Sequence, residues 1–193
     1  MNVNLKQLFG NWNLGYALDK HTLKSTPIGY DQFGHIRFDT ERSEAGEALF
    51  KMKYRNDLTQ SEILAQAIYD YIFPRFSDVD FVIPMPASKT REIQPVFALA
   101  KDFATLANLP YIQNILLKTP SNISSKNLTD KIEKIDALQE SLYINPIIEQ
   151  NGSFNVLLID DLYDTGASLE VACDLLNNYN KINNIYVAAV TWR

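Results

Sequence analysis

Two adjacent carboxylates, Asp160 and Asp161, close a run of apolar residues, and a small, donor-rich segment, Thr165-Gly166-Ala167-Ser168, begins four residues later. The full stretch, residues 156–169, is VLLIDDLYDTGASL. A strand-to-helix loop built of Thr, Gly, Ala and Ser presents several backbone N–H groups in one direction, with a helix N-terminus behind them. That combination suits a phosphate. Gly166 allows close approach of the backbone, and Thr165 and Ser168 add hydroxyl donors. Asp160 and Asp161 cannot serve the same phosphate, because like charges repel; they are suited to accept hydrogen bonds from a neutral diol. A vicinal diol beside a phosphate describes a ribose 5-phosphate. The G-x-x-x-x-G-K-[ST] pattern of a Walker loop is absent. A plainer reading of the same residues stays open, in which Asp-Asp is an exposed turn and Thr-Gly-Ala-Ser a helix cap.

Such a loop needs a sheet to carry it. VDFVIPMP is a short apolar strand stopped by Pro84 and Pro86, IQPVFALAKDFATLA has helical spacing with Pro95 suited to its first turn, and YIQNILL has strand character. KIEKIDALQE is a short helix candidate, FNVLLID a buried strand, ASLEVACDLLNNY a helix and NIYVAAVTW a final strand. Strands alternating with helices predict an α/β fold with a parallel sheet covered on both faces. Ligands bind such sheets beyond the carboxyl ends of the strands, where both PMPASK and DDLYDTGAS fall. Upstream, GEALFKMKY and SEILAQAIYDYIF repeat apolar residues at helical spacing from Gly46 onward. Residues 1–45 differ: WNLGYALD and HIRFDT read as two short strands joined by the loop HTLKSTPIGYDQFG. We therefore expect a β-rich N-terminal segment over 1–45 and an α/β domain over 46–193.

Composition narrows the class. A charged fraction of 21% and a hydrophobic fraction of 46% are ordinary for a globular chain. No apolar run reaches the ~20 residues of a membrane span, and the N-terminal residues lack the basic start and apolar core of a signal peptide. A cytoplasmic location is the resulting expectation. Cys173 is the one cysteine, which excludes an internal disulfide and a multi-cysteine zinc ribbon. The net charge of −5 comes from residues 76–193, where fourteen acidic residues face nine basic ones. An acidic body argues against tight, non-specific nucleic-acid binding.

At the residues of VLLIDDLYDTGASL the chain resembles the phosphoribosyl-pyrophosphate (PRPP) signature of type I phosphoribosyltransferases. GEALFKMKY, with Lys53 and Tyr54, resembles the G-x-L-h-x-L-K-Y segment of the ComF-like branch. FVIPMPASKTREIQPVFALA resembles its V-P-V-P strand end and basic helix start, and LLKTPSNISSKNLTDKIEKIDAL its flexible segment. The likeness spans roughly 46–193. It departs from the branch in lacking the four-cysteine ribbon, and in offering Lys118, Lys126, Lys131 or Lys134 where arginines are expected.

The resemblance implies a Mg²⁺-dependent transfer of the phosphoribosyl group from PRPP to a small nitrogenous acceptor, with pyrophosphate leaving. It implies that Asp160 and Asp161 hold the ribose hydroxyls and support Mg²⁺, in part through its outer shell. Asp164, Thr165, Gly166, Ala167 and Ser168 would line the 5-phosphate pocket. Asp164 also matches the position of an aspartate that assists proton transfer in purine-salvage members. Ala87, Ser88, Lys89 and Arg91 form the candidate pyrophosphate loop. Ser124, Ser125 and Lys126 lie midway along a polar segment of a length associated with lids. In the resembled family a variable hood selects the acceptor, and residues 1–45 take that place here, with His21, His35 and Tyr16 as candidate readers. A metal site from Asp19, His21, His35 and Asp39 would match no standard spacing. Homodimers are common in the family. Two other functions fit the same residues: a PRPP or nucleotide sensor without turnover, and an accessory protein in DNA uptake or defence.

Overall fold

The computed structural model describes residues 1–87, 94–119, 135–136 and 138–193. Four strands lie parallel in the spatial order β2 (Leu14–Lys20), β9 (Ile182–Trp192), β8 (Phe154–Tyr163) and β5 (Phe81–Pro84), and β1 (Lys6–Gln7) adds antiparallel to β2. This is the expected parallel sheet. Its strands are apolar on both sides because helices cover both faces. Alternate residues of β8 divide accordingly. Leu157 and Ile159 pack with α1 (Glu44–Tyr54), α2 (Thr59–Ala67) and α3 (Pro95–Ala107), and Val156 and Leu158 pack with α4 (Ala167–Asn177). All four side chains are fully buried, each contributing on the order of 1.5–3 kcal/mol of hydrophobic stabilisation. After α2 the chain passes through a π-helical turn, Ile68–Ile72, and a short 3₁₀ turn, Phe73–Arg75.

The N-terminal expectation needs correction. Residues 1–45 are not one appended unit, because β2 is an interior strand of the main sheet. Ala17 and Leu18 are both fully buried and face opposite clusters, which is the signature of a strand covered on both sides. HTLKSTPIGYDQFG is also not a loop. It supplies β3 (Thr22–Tyr30), which pairs antiparallel with β4 (Ile36–Arg42) as a separate hairpin. Trp12 belongs to the core, its indole N–H donating to the Leu8 carbonyl at 3.0 Å.

YIQNILL makes no strand of the main sheet beyond a single bridge from Tyr111 to Val82. Only β6 (Leu116–Lys118) is extended, and it pairs with β7 (Leu142–Ile144). Among the described residues no helix is long and apolar enough to cross a membrane.

Two local features fix the carboxyl edge of the sheet. First, β5 stops at Pro84, opposite Ile159, while β8 runs on to Tyr163 alongside β9. Proline cannot extend the ladder, so Asp160–Tyr163 overhang β5. Second, Ser43 caps α1: its Oγ accepts from the Gly46 N–H at 3.0 Å and donates to the Lys20 carbonyl at 2.5 Å. This draws the first turn of α1 against the end of β2, where a Cβ on Gly46 would lie 2.2 Å from the His21 carbonyl oxygen.

Candidate active site

Asp160 and Asp161 lie within the strand, not in a loop, with Asp160 opposite Ala189 of β9. Successive strand residues point to opposite faces, so the two acids part company. Asp161 meets Lys53 of α1, with Nζ 2.7 Å from Oδ2, and only 15% and 21% of these side chains are exposed. Asp160 Oδ1 accepts the Asp161 N–H at 2.8 Å. Burial first, and then the charge of Asp161, push the Asp160 carboxyl up to about 7; backbone N–H bonds and Lys53 offset part of that. One acid is thus held against a cation, while the other holds its proton more tightly than an ordinary carboxylate.

His21 follows β2 directly and joins this group. Its Nδ1 is 3.1 Å from Thr191 Oγ1, which in turn donates to the Asp161 carbonyl at 3.3 Å. With the hydroxyl proton committed to that carbonyl, Nδ1 carries the ring proton and Nε2 is the accepting atom of the neutral imidazole. Burial lowers the His21 pKa, as do Arg193, Lys53 and Arg42, against the opposing charge of Asp161.

Beyond Tyr163 the chain reaches α4 in three residues. Gly166 occupies the left-handed region at φ 82°, with the Tyr163 ring packed 3.0–3.2 Å from where a Cβ would stand. Gly166 is the N-cap of α4 and has no side chain with which to cap it. Thr165 Oγ1 lies 3.4 Å from the Ala167 N–H, at the weak limit of a hydrogen bond. Gly166 and Ala167 are buried, Thr165 and Ser168 half-buried, and Asp164 exposed. The acid pair, Gly166 and the start of α4 therefore share one end of one strand.

The other candidate residues separate. Tyr16 is held mid-strand, opposite Ala188, with its ring against Phe76 and the Arg75 guanidinium 5.1 Å above it. His35 sits at the tip of the β3–β4 hairpin, 79% exposed, its Nδ1 3.3 Å from Asp31. Neither stands with the acids: Tyr16 is drawn into ring packing and His35 closes a turn. Ala87 is half-buried just past β5, whereas Ser88, Lys89, Arg91, Ser124, Ser125 and Lys126 lie outside the described residues. No group of three or more His, Cys, Asp or Glu side chains forms a metal cluster among the described residues. Lys53 and Thr191 were not among the sequence candidates for the site. For Lys53 the signal was present in GEALFKMKY; for Thr191, a polar residue ending the apolar NIYVAAV run was the only hint.

The sheet, its overhanging strand and the glycine turn define the type I phosphoribosyltransferase fold. The chain superposes on adenine phosphoribosyltransferase from Trypanosoma brucei, in complex with AMP, pyrophosphate and ribose-5-phosphate, with TM-score 0.50 and 13% identity, over 98% of this chain and 74% of that one. Adenine phosphoribosyltransferase from Saccharomyces cerevisiae matches with TM-score 0.45 and 12% identity, over 88% and 84%. In sequence the chain is similar to the competence protein ComFC of Bacillus subtilis (strain 168), at 27% identity over 140 residues. That match takes in 72% of this chain and 56% of ComFC, so the chain spans little more than half of its relative's length. No family model matches the chain.

Proposed function

We propose that the protein binds PRPP and transfers its phosphoribosyl group to a small nitrogenous acceptor, releasing pyrophosphate. The observation that carries this reading is the meeting, at one strand end, of two carboxylates with a left-handed glycine and the N-terminus of α4. The acids suit the ribose hydroxyls, and the glycine turn suits the 5-phosphate. The ligands of the Trypanosoma brucei structure, AMP, pyrophosphate and ribose-5-phosphate, are the pieces such a site would handle.

The two carboxylates, with no cluster of three or more His, Cys, Asp or Glu among the described residues, fit Mg²⁺, which binds through one or two carboxylates together with substrate phosphates. When bound it would neutralise the leaving pyrophosphate. The chain's own residues do the rest. Asp161, held against Lys53, and Asp160, whose carboxyl burial and the neighbouring acid push upward, hold the hydroxyls and place carboxylate oxygens beside a cationic transition state. His21 Nε2 is an accepting atom in the same group, suited to take a proton from the attacking nitrogen. Asp164, exposed at the turn, is the second candidate for that proton.

Incubating the protein with PRPP, Mg²⁺ and a pool of bases and amines, read by mass spectrometry, tests the proposal. New phosphoribosyl adducts with pyrophosphate release are expected. Failure to bind PRPP at millimolar concentration overturns it. The Lys53–Asp161 pair favours one second reading, a PRPP sensor, because a cation already occupies one acid. That reading expects PRPP binding with no pyrophosphate in the same assay.

A further inference from the structure

His21 is anchored through its backbone and through one ring nitrogen. Its N–H donates to the Trp192 carbonyl at 2.8 Å. Its own carbonyl oxygen lies so close to Gly46 that a Cβ there would stand 2.2 Å away. The preceding carbonyl, of Lys20, accepts from Ser43 Oγ at 2.5 Å, which ties the same corner to the cap of α1. The ring is held at Nδ1, 3.1 Å from Thr191 Oγ1. Among the described residues Nε2 makes no hydrogen bond.

Thr191 sits at the centre of this arrangement, fully buried on β9. It has one hydroxyl proton and two neighbours, the Asp161 carbonyl at 3.3 Å and His21 Nδ1 at 3.1 Å. A carbonyl oxygen can only accept, whereas an imidazole nitrogen either donates or accepts. All three groups are satisfied together when the hydroxyl donates to the carbonyl and Nδ1 donates to the hydroxyl. In the reverse arrangement the hydroxyl donates to Nδ1 and turns a lone pair toward the Asp161 oxygen, a mismatch that buried polar groups do not tolerate cheaply.

We propose that Thr191 is a positioning residue, whose hydroxyl locks His21 in the Nδ1–H tautomer and so reserves Nε2 as the proton-accepting atom. The proposal rests on the transfer reaction above, in which Nε2 takes a proton from the attacking nitrogen. Because the lock runs through the Asp161 carbonyl, one hydroxyl sets both the accepting ring and the strand that would hold the ribose. Valine at this position would keep the shape and lose both hydrogen bonds. The ring would then revert to the Nε2–H tautomer that free histidine favours, with no acceptor left at Nε2.

Nitrogen-15 NMR of the imidazole rings in the full chain tests this at about pH 8, where a histidine is neutral. Protonated and bare ring nitrogens resonate far apart. The chain has two histidines, so a His35→Ala background leaves the His21 signals alone. In that background Nδ1 should carry the proton and Nε2 should be bare. Thr191→Val should move the proton to Nε2, and Thr191→Ser, which retains the hydroxyl, should hold it on Nδ1. Circular dichroism checks the fold, and Thr191→Ala takes the place of Thr191→Val if the latter does not fold. With PRPP, kcat for pyrophosphate release should fall on the order of 10²-fold in Thr191→Val, with KM for PRPP within about twofold, and recover in Thr191→Ser. A ring proton on Nε2 with Thr191 in place overturns the proposal. So does a tautomer unmoved by loss of the hydroxyl, or a kcat that falls equally in Thr191→Ser. A tautomer that moves as expected in a chain that releases no pyrophosphate supports the lock and overturns the transfer reaction instead.

Discussion

The end of β8 and the β3–β4 hairpin, which continues the chain after β2, both stand at the carboxyl edge of the central sheet, and they are built on opposite terms. At β8 every apolar side chain from Val156 to Ile159 is buried, and the polar groups that follow are gathered within reach of one another. In the hairpin the apolar side chains are the exposed ones, and the polar groups satisfy the ribbon itself, as where Asp31 takes the N–H groups of Phe33 and His35 at 2.8 and 2.9 Å. The first arrangement suits a small polar ligand held by few, fixed groups. The second, its polar groups spent on the ribbon, does not. His21 and Gly46 sit at the weld between them, so each region can be disturbed while the other is watched.

The strongest way to break the contrast is at the acids. Asp160→Asn with Asp161→Asn should cut PRPP-dependent pyrophosphate release by about 10²–10³-fold, of the size seen when a transition-state contact is lost. Far-UV circular dichroism should not change. Next, Gly46→Ala strikes the weld, because the new methyl meets the His21 carbonyl oxygen at 2.2 Å. Thermal melts should show a loss of about 2–3 kcal/mol, the range of an overpacked core. Lys53→Met removes the cation from Asp161; about 1–2 kcal/mol of stability should go, less than for a fully buried pair because both side chains keep some exposure. Carbon-detected NMR should also show Asp160 titrating higher than in wild type, since Lys53 lowers its pKa.

A pH series sharpens the same point. The Asp160 carboxyl is raised above its ordinary value, so the folded state holds its proton more tightly than the unfolded one. That contribution is complete below about pH 4 and is lost as pH rises through about 7. Asp160→Asn should therefore melt higher than wild type at pH 8, and the advantage should vanish toward pH 4. The smallest effect belongs to the hairpin tip. His35→Ala should change stability by less than about 0.5 kcal/mol and leave PRPP binding unaltered.

Much of the sheet was legible in the sequence because its strands are apolar on both faces and end in proline or in charge. β5 and α3 declared themselves through Pro84 and Pro95, and β8 through the run before Asp160. β2 was misplaced because LGYALD alternates loosely enough to pass for a half-exposed strand, and only its partner β9, some 170 residues away, reveals burial on both sides. Tyr30 and Phe38 carried the hairpin's pattern, but Pro27 and Gly29 within β3 disguised it as a loop. At the site, the acids and Gly166 were found from local spacing. Lys53 and Thr191 reach Asp161 from α1 and β9, elements remote in sequence, and no local pattern encodes that meeting.

The overhang of β8 beyond β5 has a consequence for association with foreign chains. A strand edge left without a neighbour is a template on which another strand can add, and natural sheets mark such edges with charge. From Asp160 to Tyr163 the main sheet offers β8 only β9 as a partner among the described residues. Two carboxylates stand at the start of that open stretch. The same pair that would grip a sugar therefore also discourages β-type aggregation, and neutralising both acids should make the chain more prone to it even where the fold is intact.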